Sequence, residues 1–314
     1  MSRGGAAAVA ALLILLVLPP FFVDDYVQFI LDLILVYVMV SFGFNIVLGY
    51  AGQLAFANAA FFGLGAYTLA ICLGRLDWPF PAALFAAAVV GGAAGLLVSL
   101  PALRLRAYYL AIITLAFGEL LRWTYVHASG LTRGSSGLGV PAISIFGIPV
   151  ASDRARYWLF LALAGLTLWG SANLLRSRFG RALVAVRGNE AAAAAMGLAP
   201  AVVKIGAFAW SGVVVAIGGA MYALLLGRIS PESFGLSQLL LHFSIVMIGG
   251  LGSLVGSVLG AVILTAAPEL LRDIPGLEEI IFSLLLIGVL LFMPKGVAGL
   301  LGRLALFRER LYLT

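Results

Sequence analysis

Few side chains in these 314 residues are placed to do chemistry, and their types point to handling a polar solute, not to making or breaking bonds. There are two histidines, His127 and His242, and one cysteine, Cys72. No G-x-x-x-x-G-K-[ST], H-E-x-x-H or G-x-S-x-G pattern occurs, so intrinsic ATP binding through a P-loop and the common hydrolytic sites are unsupported. His242 has no histidine or acid at ligand spacing, which argues against a metal, and the lone Cys72 excludes an internal disulfide. What remains are polar groups set in apolar sequence. In "GYAGQLAFANAAFFGLGAY" the glycines Gly49, Gly52, Gly63 and Gly65 punctuate the run, and Gln53 and Asn58 add hydrogen-bonding groups. Small residues let helices approach, and broken helices expose backbone dipoles on which a polar solute can rest. The pattern G-x-x-G-polar-Leu of Gly49–Leu54 recurs at Gly249–Leu254, bringing Gly249, Gly250 and Gly252 into the same set. Glu119 is the acid deepest in apolar sequence, and it reads either as an i,i+3 partner of Arg122 or as a group acting on the solute. Asp32, Asn45, Thr114 and His242 rank behind it.

The elements that must position these groups are membrane helices. Only 10% of the residues are charged, against roughly a quarter in a soluble domain, and 63% are hydrophobic. Mean hydropathy is +1.14, with apolar runs near the ~20 residues that a bilayer core demands. The formal charge of +6 does not point to nucleic acid, because the basic residues fall mostly in short loops between apolar runs. The opening "MSRGGAAAVAALLILLVLPP" resembles a signal peptide but lacks a convincing cleavage site, so it reads as an uncleaved first span.

Spans are expected at about 6–23, 27–48, 54–74, 80–100, 107–128, 157–174 and 205–227. The apolar stretch from Leu239 to Thr265 is long for one span and is interrupted by "GGLGSLVG". Counting it once would place the acidic "PELLRDIPGLEE" inside and the basic tail outside, against the bias of Lys and Arg toward the cytoplasm. Two crossings, 238–250 and 254–271, restore the sign pattern, with a last span at 279–294. The expectation is an all-α polytopic bundle of about ten crossings, some broken or half-helices, with both termini cytoplasmic. It includes a cytoplasmic loop at 175–204, an external loop at 129–156 and a cytoplasmic tail at 295–314.

The loop at 175–204 encodes a helix of its own. Asn189 can cap it, Glu190 favours the positive end of its dipole, Gly197 suits a left-handed C-terminal position, and Pro200 follows as a stop. Its polyalanine face has too little bulk to anchor in lipid, but it can seat its backbone closely in a partner's groove. A solvated loop with an incidental helix is the plainer alternative.

"NEAAAAAMG" is similar to the EAA-type coupling segment of bacterial ABC importer permeases. "GYAGQLAFANAAFFGLGAYT", "YYLAIITLAFGELLR", "LTRGSSGL", "ISPESFGL", "GGLGSLVGSVLGA" and "MPKGVAGLL" resemble, in order, the LivM-type permease of branched-chain amino acid ABC importers, from about residue 26 to 300. The resemblance implies a permease subunit, without enzymatic activity or cofactor, in the plasma membrane of a bacterium. It implies four kinds of contact: a second permease of the LivH type, two ATPase subunits, a soluble or lipid-anchored binding protein meeting the external loop, and membrane lipid. Coupling to the ATPases falls on Arg187, Asn189, Glu190, Ala191, Ala192 and Gly197. The translocation path falls on Gly49, Gly52, Gln53, Asn58, Thr114, Glu119, Gly249, Gly250 and Gly252. Urea and short-chain amide permeases share the pattern. The rival class is an ion-coupled secondary transporter, for which Glu119 would be the coupling carboxylate.

Overall fold

A computed structural model describes residues 24–105, 107–145, 148–149, 152–270, 287 and 296–303. The expected span at 6–23, nearly all of the one at 279–294, the tail from 304 onward and the disposition of both termini lie outside the described residues.

The described chain is almost wholly helical. Helix α1 (Asp25–Asn45) continues into a π-helical turn, Ile46–Tyr50, and the chain then runs without helix until α2 (Asn58–Arg75). Next come α3 (Phe80–Ala102), α4 (Ala107–His127) and α5 (Asp153–Arg176). Two short helices, α6 (Arg178–Gly188) and α7 (Glu190–Ala195), form the polar insert. They lead to α8 (Pro200–Leu226), α9 (Leu236–Gly249), α10 (Leu254–Leu270) and α11 (Gly296–Arg303). Among the described residues four helices are long and apolar enough to cross a membrane: Asp25–Tyr50, Phe80–Ala102, Asp153–Arg176 and Pro200–Leu226. The apolar stretch after Leu239 is not one rod; it breaks at Gly250–Ser253 into α9 and α10.

Local chemistry sets these boundaries. Ser152 caps α5 by accepting the Ala155 N–H at 3.2 Å, Pro200 opens α8 where its missing N–H costs nothing, and Gly227 closes α8 at φ +67. At 27 residues, roughly 40 Å long, α8 is the axis of the bundle and packs against α1, α2 and α3. A seam of small residues allows that contact. A methyl group on Gly212 would lie 2.1 Å from the Gly91 carbonyl oxygen on α3, and one on Gly65 would lie 1.9 Å from the Ala216 carbonyl oxygen. Backbones this close exchange bulk for dispersion along the whole helix, the usual means of association where lipid removes the hydrophobic drive.

The two ends of α8 carry different structures. Its N-terminal end receives the insert. Past its C-terminal end, β4 (Arg228–Ile229) pairs antiparallel with β1 (Leu138–Gly139), folding the 129–139 segment back over the bundle. A second pair, β2 (Ser144–Ile145) with β3 (Ile148–Pro149), lies further along that segment. Near this end Arg156 bridges the fully buried Asp32 of α1 at 2.8 Å and Asp153 of its own helix at 2.9 Å, pinning α5 to α1. Arg156 thereby gives Asp32 Oδ2 a structural partner, while the buried Oδ1 has no hydrogen bond among the described residues.

The seam predicts that Gly212→Ala lowers the melting temperature of detergent-purified protein, by an amount corresponding to ~1–3 kcal/mol of overpacking. Gly165→Ala, whose new methyl would meet nothing within 4 Å, should melt at or above the parent temperature. Equal melting of Gly212→Ala and parent would contradict the tight seam.

Candidate functional site

Two helices stop inside the bundle, and their ends meet. The π-turn that ends at Tyr50 and the end of α9 at Gly249 both leave C-terminal carbonyls without the next turn to bond to. Asn45, fully buried, stitches them together. Its Nδ2 donates to the Ser253 carbonyl at 3.0 Å, to Ser257 Oγ at 2.8 Å and, more weakly, to the Gly250 carbonyl at 3.4 Å. Its Oδ1 accepts the Gly252 N–H at 2.8 Å. The two G-x-x-G segments thus form one contact: a methyl on Gly49 would lie 2.4 Å from the Gly252 nitrogen. Gly52 at φ +65 and Gly252 at φ +77 make equivalent left-handed turns out of their helices. Gly249 meets the Gly256 carbonyl oxygen across the α9–α10 turn, and Gly250 supplies the cap at φ +121.

The insert touches this junction. Arg187, on the last turn of α6, donates to the Gly49 carbonyl. Its stem crosses Gly52, where a methyl would lie 2.8 Å from Cγ, and its guanidinium reaches Gly252, where a methyl would lie 3.2 Å from Nη1. One residue further, Gly188 ends α6, and Asn189 starts α7 by accepting the Ala192 N–H on Oδ1 at 3.0 Å. Gly197 at φ +85 closes α7, with Leu198 N–H bonding Ala193 O at 3.1 Å and Gly197 N–H bonding Ala194 O at 3.0 Å. That paired arrangement is the Schellman stop, so both ends of this one-and-a-half-turn helix are satisfied within the chain. Ala193 is its buried anchor, while Ala191, Ala192, Ala194 and Ala195 face outward with Met196, which is 85% exposed. Glu190 receives both its hydrogen bonds from Lys204 Nζ at 2.8 Å, and Lys204, in the first turns of α8, is buried. Lys204 and Met196 were not singled out by the sequence. Lys204 is an ordinary basic loop residue until the fold sets it under Glu190, and Met196 reads as one more apolar side chain.

Asn58 belongs to a second cluster deeper in the bundle. The Asn58 amide contacts His242 Nδ1 at 2.9 Å, and Gln238 Nε2 contacts His242 Nε2 at 2.9 Å and Tyr37 Oη at 3.3 Å. The His242 ring is fully buried, edge-on to Phe62 and Tyr37 at 4.9 and 5.7 Å between centroids. A neutral imidazole has one donor and one acceptor, so it cannot accept from both amide nitrogens. Turning the Asn58 amide gives Nδ1–H an acceptor and gives the otherwise unpartnered Asn58 Oδ1 its hydrogen bond. Asn58 also lines a small pocket with Ala57, Phe208 and Ser211.

Between the clusters the non-helical segment 51–57 climbs from the Gly49 junction to the level of His242. Thr114 Oγ1 on α4 holds it, accepting the Phe56 N–H at 2.7 Å while donating back to the Leu110 carbonyl at 2.8 Å. Among the described residues the Gln53 side chain bonds locally, to the Ala51 carbonyl at 3.3 Å. Glu119 stands apart from both clusters. It pairs with Arg122 at 2.8 Å, each side chain more than 40% exposed, on the rim of a shallow cleft lined by Phe56, Leu115, Phe234 and Leu239.

Broken helices whose ends are tied by side chains, an interior polar chain and an insert reaching the breaks define a multi-pass helical membrane protein with the build of a transport permease. A family model described as "Branched-chain amino acid transport system / permease component" matches residues 26–294, and the chain belongs to that family. It is 32% identical over 302 residues to the "High-affinity branched-chain amino acid transport system permease protein LivM" of Salmonella typhimurium, covering 88% of this chain and 71% of the relative. It is 26% identical over 288 residues to the corresponding LivH protein of Escherichia coli K12, covering 84% and 91%. It is also 30% identical over 220 residues to the "Autoinducer 2 import system permease protein LsrC" of Salmonella paratyphi B, covering 62% and 63%. No solved structure matches the chain.

The Asn45 junction predicts a local effect. Asn45→Ala strands the part-buried Gly252 N–H, at roughly 1–3 kcal/mol for a group left unbonded, while the Ser253 carbonyl keeps its bond from the Ser257 N–H at 3.0 Å. Hydrogen exchange of peptides spanning 250–257 should accelerate markedly in lipid nanodiscs. Unaltered protection there would show that the junction is held by other contacts.

Proposed function

We propose that the chain is one of the two permease subunits of an ATP-binding cassette importer that moves branched-chain amino acids across the plasma membrane of a bacterium. Family membership supports the class, and the names of the LivM and LivH relatives support the substrate. The observation that carries the mechanism is α7: a helix capped at both ends, faced with alanine and Met196, and ion-paired to the central helix through Glu190 and Lys204. A surface so small and smooth fits closely into a groove of an ATPase subunit, and the pair carries its displacement into α8.

In this reading the insert 175–204 is cytoplasmic and the segment 129–156, at the other end of α8, faces outward, where a soluble or lipid-anchored binding protein docks. Both termini lie inside and the chain crosses about ten times, α9 and α10 counting as a pair of short crossings. ATP hydrolysis belongs to two separate ATPase subunits, and a LivH-type permease completes the channel. ATP-driven closure of the ATPases pushes on Asn189–Gly197 and rocks the helices between outward and inward access. The junction at Gly49, Gly52 and Gly249–Gly252, with Gln53, Asn58 and Thr114 along the segment above it, lines or shapes the path. The salt bridge to Arg122 leaves Glu119 as a rim residue and gives no support to an ion-coupled transporter.

The test is uptake of leucine into proteoliposomes holding the complete importer. Uptake should require ATP, and Ala192→Trp should abolish it while the protein still inserts and assembles. Glu190→Lys should lose coupling, and adding Lys204→Glu should restore part of it by rebuilding the pair in reverse. Uptake driven by a proton or sodium gradient without the ATPase subunits would contradict the reading, as would unchanged uptake in Ala192→Trp.

A further inference from the structure

Arg187 does more than border the coupling helix. Two helix C-termini, each carrying about half a negative charge, converge at the Gly49–Gly252 junction, and the Arg187 guanidinium is the cation set against them. Asn45 can satisfy hydrogen bonds there but brings no charge. The contact also explains two glycines beyond their backbone angles. A side chain at Gly52 would strike the Arg187 stem, and one at Gly252 would crowd its fork. Arg187 sits two residues before Asn189, which starts α7, so any displacement of α7 reaches it through a single peptide turn.

We propose that Arg187 is a positioning residue that latches the cytoplasmic insert to both helix breaks at once, so that movement of the insert moves the two breaks as one body. The proposal rests on the coupling reading above and adds the route by which coupling reaches the path. The Glu190–Lys204 pair carries displacement into the bundle axis, and Arg187 carries it into the breaks beside Asn45. An arginine suits the role because its planar fork can bond the Gly49 carbonyl while lying against Gly252, and it brings the charge that Asn45 lacks.

The test uses the complete importer in proteoliposomes and reads substrate taken up per ATP hydrolysed, beside the melting temperature of each variant. Arg187→Gln should keep binding-protein-stimulated ATP hydrolysis while uptake per ATP falls about tenfold, the size expected for a lost coupling contact. Arg187→Lys keeps the charge but offers no fork, and should fall only about threefold. A fall in ATP hydrolysis and uptake together, at constant ratio, would mark a merely structural role and overturn the latch. Unchanged uptake per ATP in Arg187→Gln, with Ala192→Trp uncoupled, would overturn the latch and leave the coupling reading standing. Unchanged ratios in both variants would overturn the two together. If Arg187→Gln fails to assemble, Arg187→Lys decides: a threefold fall supports the latch, and a ratio equal to that of the parent overturns it.

Discussion

A chain that leaves the helix inside an apolar bundle cannot give its peptide groups to lipid, and the interior of this protein is organised around that demand. The π-turn at Ile46–Tyr50, the climb through 51–57 and the turn at Gly250–Ser253 are all places where backbone would be orphaned. Each is met by one side chain from elsewhere in the sequence. Asn45 serves the α9–α10 turn, Thr114 serves Phe56, and Arg187 serves Gly49. Polar residues that look sporadic along the chain are therefore the partners of broken backbone. The tight glycine seam of α8 supplies the rigid frame against which those breaks are held.

This arrangement joins features that are far apart in sequence. The polar insert and the glycine-rich segments are separate motifs, yet the fold brings Arg187 of the one against Gly52 and Gly252 of the other. The two G-x-x-G segments play equivalent roles, each ending a helix and turning out through a left-handed glycine, and they do so in contact. Movement at the insert can then reach the interior without passing through the length of a helix. The polar chain Tyr37–Gln238–His242–Asn58 stands directly above, where segment 51–57 delivers the start of α2.

Much of this is written locally and was legible. Apolar length and loop charge indicated a helical membrane protein, and Asn189, Gly197 and Pro200 bounded α7 because capping is a matter of neighbouring residues. The interruption at "GGLGS" marked the division of α9 from α10, since glycines clustered this closely weaken a helix and permit a left-handed turn. Pairings across the fold were not legible. Glu119 ranked ahead of Asp32 as the acid deepest in apolar sequence, and the structure reverses that order. The structure buries Asp32 fully against Arg156 and leaves Glu119 on a rim with its own helical neighbour. Asn45 ranked as a minor polar residue because its partners lie 205 to 212 positions away. Lys204 drew no attention because its partner, Glu190, is set beside it only when the loop folds back on α8.

The central claim is that the insert and the helix breaks form one mechanical unit. Spin labels at the exposed positions 194 and 251, in a Cys72→Ala background, measure the distance across that unit in the assembled importer. A second pair, at 194 and the exposed position 78 on the loop between α2 and α3, measures the distance to the far end of the bundle. Between the nucleotide-free and ATP-trapped states the 194–251 distance should stay constant while the 194–78 distance shifts. A 194–251 distance that changes as much as the other would contradict the account.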